Sequence, residues 1–245
     1  MGFEIAPQCQ KAIDEAGAGL AFIAWLQWTA ASLDEDQRGV VSYAASALSN
    51  RGWLSPLPKF TESAVDALGL SQERIEAAVD ALVSNGMLGV DQERITHIAA
   101  TISTARTSLT YISSDEGVEP IYLTGPAAVL GIARGLGRPG KIVASCTVSN
   151  AKVVLHCDET GIHSREPETV SMFLPSWTAD TTPVDVAGQG GLFADDDALA
   201  TWQTERNDPD GLPLSSMFIP FALTDLGDKF GVALESVLDR VANFA

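Results

Sequence analysis

The chain has 245 residues, 46% hydrophobic and 19% charged, an ordinary globular balance that excludes fibrous and wholly disordered classes and suffices for one large or two small domains. Its net charge of −17 sets up a field that repels nucleic acid and anionic membrane surfaces. Three widely spaced cysteines, Cys9, Cys146 and Cys157, form no CxxC pair, which argues against a disulfide framework and suits a reducing, cytoplasmic compartment.

The first segment of note, Ala16 to Leu33, carries no charge. It contains Gln27, Thr29 and Ser32, follows Asp14 and Glu15 rather than a basic cluster, and barely reaches the ~20 apolar residues a bilayer requires. It reads as a buried helix. Met1-Gly2 lacks Ser or Thr at position 6, so the myristoylation pattern fails. Helical spacing predicts Gln8 to Ser32 and then Asp34 to Ser49, followed by a proline-bearing connector, Arg51 to Phe60. Thr61 and Ser71 are predicted N-caps, with a turn at Leu68-Gly69-Leu70. Ile75, Ala78, Val79, Leu82 and Val83 give an i, i+3, i+4 stripe, Gly86 ends that helix, and Met87 to Ile98 forms a two-stranded wing. This is helix–turn–helix–wing order. Its candidate recognition helix carries Glu73, Glu76 and Asp80 against one Arg74. Phosphate contact and base readout need cations and bidentate donors, so the winged helix reads as structural rather than DNA-binding.

From about Thr104 the texture changes to short alternating strands: Arg106–Ser113, Pro120–Thr124, Lys141–Val148, Lys152–Cys157 and Thr169–Pro175. Gly125–Gly137 between them is a short apolar helix ending in glycine. Later helices are Asp196 to Glu205, with Asp195 as N-cap, and Ile219 to about Phe244. The acidic run Asp195–Asp197 suits a helix N-terminus through the macrodipole.

Cys146, His156, Cys157 and His163 fall within one stretch, and all are competent zinc ligands. Their spacing is wrong for a structural site, which pairs ligands across short loops. His156 and Cys157 are adjacent on a strand and point to opposite faces. A hairpin with its turn at Ser149–Lys152 and Asn150 at positive φ would place Cys146 near Leu155, a core setting, and leave His163 facing solvent. Gly135–Gly140 matches GxGxxG, but it follows a helix and opens a strand, the reverse of a dinucleotide loop. No GxSxG elbow, Walker loop or HExxH occurs, and none of the three histidines stands in a nucleophile context.

The order of pieces, a winged helix, strands, a tyrosine before a short apolar helix, a cysteine strand and a hairpin, resembles organomercurial (alkylmercury) lyase. Ser145–Pro175 carries most of the likeness. There Cys146, the turn, Ile162, Glu166-Pro167 and Leu174-Pro175 fall where that family has a similar cysteine, hairpin, Ile, Glu-Pro and Leu-Pro. Leu192–Trp202 is similar to the family's Phe-Phe-Ala strand entering a tryptophan-bearing helix, and Asp210–Phe230 to its closing strand and helix. The resemblance covers about residues 61 to 245. It implies an α+β fold, with a helical and winged-helix domain over 1–103 and a lyase-like mixed-sheet domain with flanking helices over 104–245.

The family's chemistry uses two thiolates, the soft ligands mercury demands, and an aspartate that protonates the leaving carbon. Aligned on Tyr122, the first cysteine position is Gly125 and the aspartate position is Ala128. Counted back from Phe193, the second cysteine position is Gly188. Cys146 remains, and in the family that cysteine is structural. Carbon–mercury cleavage is therefore not expected, nor is any metal or cofactor. Three lost side chains should enlarge one pocket, bordered by Tyr122, Thr124, Gly125, Ala128, Gly188 and Gln189, for a bulkier organic ligand. Tyr122, Gln189 and Asp185 are the catalytic candidates; a partly buried Asp185 would serve as a base. Two readings follow. One is a repurposed lyase-, cyclase- or isomerase-type enzyme acting on a small organic molecule in specialised metabolism. The other is a non-catalytic binding or sequestration protein. The expected partners are that small molecule and a second copy in a homodimer, with no nucleic acid and no membrane.

Overall fold

The computed structural model describes residues 5–17, 19–177, 181–206, 208 and 210–238. The helix expected over Gln8–Ser32 is two helices, α1 (Pro7–Ala16) and α2 (Ala21–Ser32). Gly17 and Gly19 separate them at φ +76° and +68°, a region that favours glycine, and a Cβ on Gly19 would fall on Leu212. α3 (Glu35–Arg51) opens with a capping box. The Asp34 carboxylate accepts from the Gln37 amide at 2.8 Å, and the Gln37 side chain accepts from the Asp34 amide at 3.1 Å. α4 (Leu57–Leu68) begins inside the expected connector, because Pro56 and Pro58 suit a helix start. Thr61 therefore lies within the helix and donates its hydroxyl to the Leu57 carbonyl at 2.9 Å instead of capping. α5 (Gln72–Ser84) is capped by Ser71 and buries Ile75, Ala78, Val79 and Leu82. Its Arg74 is engaged by Asp36 of α3 through two bonds of 2.8 and 2.6 Å, so the one cation of that helix is already occupied within the chain.

β1 (Leu88–Asp91) and β2 (Arg94–Ile98) form the expected wing, followed by β3 (Ile102–Ser103), β4 (Thr110–Ser113) and β5 (Ile121–Leu123). The apolar helix is split into α6 (Pro126–Val129) and α7 (Ile132–Leu136). β6 (Gly140–Ser145), β7 (Lys152–Asp158), β8 (Gly161–Glu166) and β9 (Ser171–Leu174) come next, then α8 (Pro183–Gly188), β10 (Gly191–Phe193), α9 (Asp196–Glu205), β11 (Leu212–Leu214) and α10 (Ile219–Leu238). The end expected for the last helix, near Phe244, lies outside the described residues.

These strands make an eight-stranded antiparallel sheet in the order β1-β2-β3-β5-β4-β6-β7-β8, and a three-stranded sheet, β10-β9-β11. The larger sheet joins the wing to the strands beyond residue 103, so the expected boundary falls at the end of one strand of a continuous sheet. α10 ties the halves together. Phe230 stacks on Phe22 of α2 at 5.9 Å, and Ser42 of α3 donates to the Val237 carbonyl at 2.8 Å. α7 approaches α10 closely because Gly131 meets Phe230 and Gly231, and Gly135 meets Leu234, with no side chain between. α2 is apolar on nearly every side because it is enclosed; among the described residues no helix is long and apolar enough to cross a membrane.

The β6–β7 hairpin turns two residues earlier than expected. Its ladder ends at Ser145 opposite Lys152, and Leu155 faces Ile142, not Cys146. The Cys146 amide donates to the Ala151 carbonyl at 2.7 Å and the Asn150 amide to the Cys146 carbonyl at 3.0 Å, so Thr147–Asn150 form the loop. Asn150 adopts φ +58°, as expected of it.

His97, on β2, lies across Gly89 of β1, where an added Cβ would fall on the imidazole. Burial pushes His97 down from 6.5 to about 4, against a backbone hydrogen bond at Gly86 and the Asp185 charge, which act the other way. Between these values the unfolded chain binds a proton that the folded chain does not. Stability is therefore complete above the unfolded value and falls as pH drops through the folded one. Urea unfolding at pH 7 and pH 4.5 should show His97→Gln losing less stability than the parent on acidification, by on the order of 2 kcal/mol. Parallel losses in the two proteins would show that the imidazole is not buried in its neutral form.

Candidate functional site

Two chain junctions meet on one side of the fold. The first joins β5 to α6 through Thr124, Gly125 and Pro126. Gly125 is fully extended, and Pro126 opens the helix without an amide hydrogen to satisfy. The second joins α8 to β10 through Gly188, Gln189 and Gly190. α8 starts at a capping box between Thr182 and Asp185. The junctions touch main chain to main chain. A Cβ on Gly125 would fall on the Ala187 carbonyl and lie 3.0 Å from the Gly188 Cα. Gly188 is less confined, since its Cβ would stand 3.5 Å from the Thr124 carbonyl oxygen.

Beside this contact lies an open cleft of about 250 Å³. Its other walls come from Thr107–Leu109, from Ser145 and Thr147 at the end of β6, and from Trp202 and Arg206 at the end of α9. Trp202 forms part of the floor, packed on Phe173 at 4.9 Å and Phe193 at 5.4 Å above the buried Cys146. The Arg206 guanidinium stands over the Trp202 ring, 5.0 Å from its centroid.

Some of the polar groups here are already committed. Thr107 donates to the Leu123 and Leu109 carbonyls at 2.8 and 2.9 Å, Thr124 to Ala100 at 2.7 Å, and Thr147 to Leu192 at 3.3 Å. The three threonines therefore hold the walls in place. The side chains of Ser108, Ser145, Gln189 and Arg206 make no hydrogen bond or ion pair with the described residues, and all four border the cleft.

Of the residues expected at a pocket, Thr124, Gly125, Gly188 and Gln189 line this one. Ala128 does not: it is fully buried in α6, with its amide donating to the Gly125 carbonyl at 3.1 Å. Tyr122 alternates with the cleft-lining Leu123 on β5, so it faces the other way, paired in the ladder with Ser103 and Thr110. The Asp185 carboxylate is exposed and held by Thr182, accepting from its hydroxyl at 2.6 Å and its amide at 3.3 Å. It caps α8 and is not a lining residue. The enlarged hollow expected from three small residues is not there in that form. At Gly125 the space a side chain would take is filled by a neighbouring carbonyl and is not empty.

Sequence reasoning missed Ser108, Ser145, Trp202 and Arg206 as cleft residues. One signal was present: Trp202 and Arg206 are four apart at a helix end, and Arg206 is one of only 15 cations against 32 acids.

The four soft or nitrogen ligands do not converge. Cys157 is buried on β7 opposite Gly140 of β6, with its thiol donating to the Gly140 carbonyl at 3.3 Å, and burial beside Asp158 pushes it up to about 12. Burial also acts to raise Cys146. Hydrogen bonds from the Ser149 side chain and amide, and from the Ala194 and Val148 backbone, outweigh it and hold that thiol below its ordinary value. His156 pairs with Glu166 at 3.2 Å, and His163 approaches Asp158 at 4.0 Å on the exposed face of β7 and β8.

No known family's sequence profile matches the chain, and no curated protein matches it. Among solved structures, the mercury-bound form of MerB2 is similar, with a TM-score of 0.65 and 13% identity, over 89% of this chain and 98% of that one. The likeness is one of fold, and it makes this chain an α+β protein of MerB-like architecture.

The glycine contact gives a paired test by urea unfolding. Gly125→Ala forces a carbon onto a carbonyl and should lose about 3 kcal/mol. Gly188→Ala meets ordinary contact in a helix and should stay within about 1 kcal/mol of the parent. Equal losses would mean that the two junctions do not touch as described.

Proposed function

We propose that the cleft binds a small organic molecule without transforming it, on an organomercurial-lyase-like scaffold that no longer cleaves carbon–mercury bonds. The observation that carries this reading is the chemistry of the lining. Among the described residues it consists of Thr, Ser, Leu, Gly, Pro, Gln, Trp and Arg. None of these exchanges a proton near neutral pH, and general acid–base catalysis needs a group that does. No thiol lines the cleft either, so it offers none of the soft ligands that mercury needs. What remains is shape, a glycine-rich wall and uncommitted donors, which are the components of a binding site.

A second reading keeps a repurposed enzyme, and one feature favours it. Ser108, Ser145 and Gln189 are free to orient and polarise a substrate carbonyl. Such catalysis would work by positioning and electrostatics alone.

Incubation with phenylmercuric acetate, with benzene followed by gas chromatography, should give no release above the buffer control. Benzene released in proportion to protein would overturn the proposal. A thermal-shift panel of small organic molecules should return stabilising ligands that mass spectrometry recovers unchanged. Recovery of a product whose formation is lost in Gln189→Ala would replace the binding reading with the enzymatic one.

A further inference from the structure

We infer that the cleft selects an organic monoanion, a small carboxylate whose charge rests on Arg206. This deepens the binding reading of the preceding subsection and rests on it.

The sign of charge is the first ground. The chain carries 32 acids and 15 Lys and Arg, yet among the described residues no acid lines this cleft, and Arg206 is the charged group that does. Arg206 is also uncommitted. It forms no ion pair with the described residues, and Asp208, two positions on, is taken by Ser176, accepting its amide at 3.0 Å and its hydroxyl at 2.6 Å. The Trp202 ring face beneath the guanidinium limits where it can go, so the cation stays beside the cleft that both residues line.

The second ground is the donor set. Ser108, Ser145 and Gln189, which line the same cleft, carry hydroxyl and amide hydrogens. A carboxylate accepts about four hydrogen bonds and matches the guanidinium fork bidentately. A neutral amide or alcohol uses fewer of these donors and leaves the cation uncompensated.

The third ground limits the charge to one unit. A single cation neutralises one negative charge, and any further charge meets the field of a chain at −17. Dianions such as phosphate monoesters are therefore disfavoured. The volume limits the remainder. About 250 Å³ accommodates a small ring and a short side chain, below the range of drug-sized ligands.

The test uses matched pairs that differ in charge and little in shape: benzoate and benzamide, phenylacetate and phenylacetamide, indole-3-acetate and its primary amide. Affinities are measured by titration calorimetry or ligand-observed NMR on the full chain. In at least one pair the acid should bind at least ~5-fold tighter than the amide, a gap that shrinks as salt rises. In Arg206→Gln, an exposed substitution, the acid should weaken to the level of the amide while the amide is unchanged. An amide equal to its acid, or a gap that survives Arg206→Gln, overturns the inference and leaves the binding cleft standing. If no acid or amide binds while neutral molecules from the broader panel do, the anion inference alone fails. If nothing binds, the binding reading fails and this inference with it.

Discussion

The contact between the Gly125 main chain and the Ala187 carbonyl sets the geometry of everything around the cleft. It brings the end of β5 and the start of α6 against the end of α8 with no side chain between them. α6 and α8 are too short to hold position by themselves. Their placement comes from this close approach, from the Thr182–Asp185 box that starts α8, and from Gly190 packed under Pro126 and the Phe173 carbonyl. The same contact limits the chemistry. A residue with a Cβ at position 125 would need the two junctions to separate, so glycine there is a requirement of the packing and not only the absence of a functional group.

The distribution of cations points the same way. Several basic side chains resolve local problems created by an acidic surface. Arg134 of α7 reaches Asp228 and Glu235 of α10 at 3.0 and 3.1 Å, reinforcing a helix pair already drawn together by glycines. Arg74 joins α5 to α3 through Asp36, and Lys229 pairs with Asp225 along α10. Exposed pairs of this kind each contribute about 1 kcal/mol or less, so their main effect is to quench repulsion and fix orientation. Arg206 pairs with no acid among the described residues; its companion is an aromatic ring, and it lines the cleft.

Much of the fold could be read from the chain because its signals are local. The Ser71 cap, the stripe from Ile75 to Leu82, the wing, the Asp195 cap and positive φ at Asn150 each depend on a few neighbouring residues. One error arose where a distant partner decides, and others from local signals that compete. Gly19 breaks the first helix because Leu212, far along the chain, fills the space where a Cβ would go. Thr61 looked like a cap, but Pro56 and Pro58 start the helix earlier. The site divides in the same way. Thr124, Gly125, Gly188 and Gln189 border one cleft, as two junctions aligned by resemblance would suggest. Tyr122 fails because strand alternation turns it away from Leu123, and Asp185 because the nearest demand on its carboxylate is the start of its own helix. Ser108, Ser145 and Arg206 carry no motif; only the folded chain brings them together.

Cys146 and Cys157 are not placed to form a two-thiolate site. A two-thiolate site must bring both sulfurs within bonding distance of one metal, about 2.3 Å each for a zinc-like ion. Cys157 faces Gly140 at one end of the β6–β7 ladder, and Cys146 lies past its other end. At ~3.3 Å per residue that separation is roughly 20 Å. Cys146 is closed beneath Trp202 and Phe193, its sulfur held by the Ser149 amide at 3.4 Å, and Cys157 is sealed in the main core. Neither can reach the cleft or the other without unfolding the hairpin that positions both. Any ligand of this cleft must therefore be recognised by hydroxyls, an amide, a guanidinium and shape. Such groups are hard donors and do not match the soft thiolates that a soft metal requires.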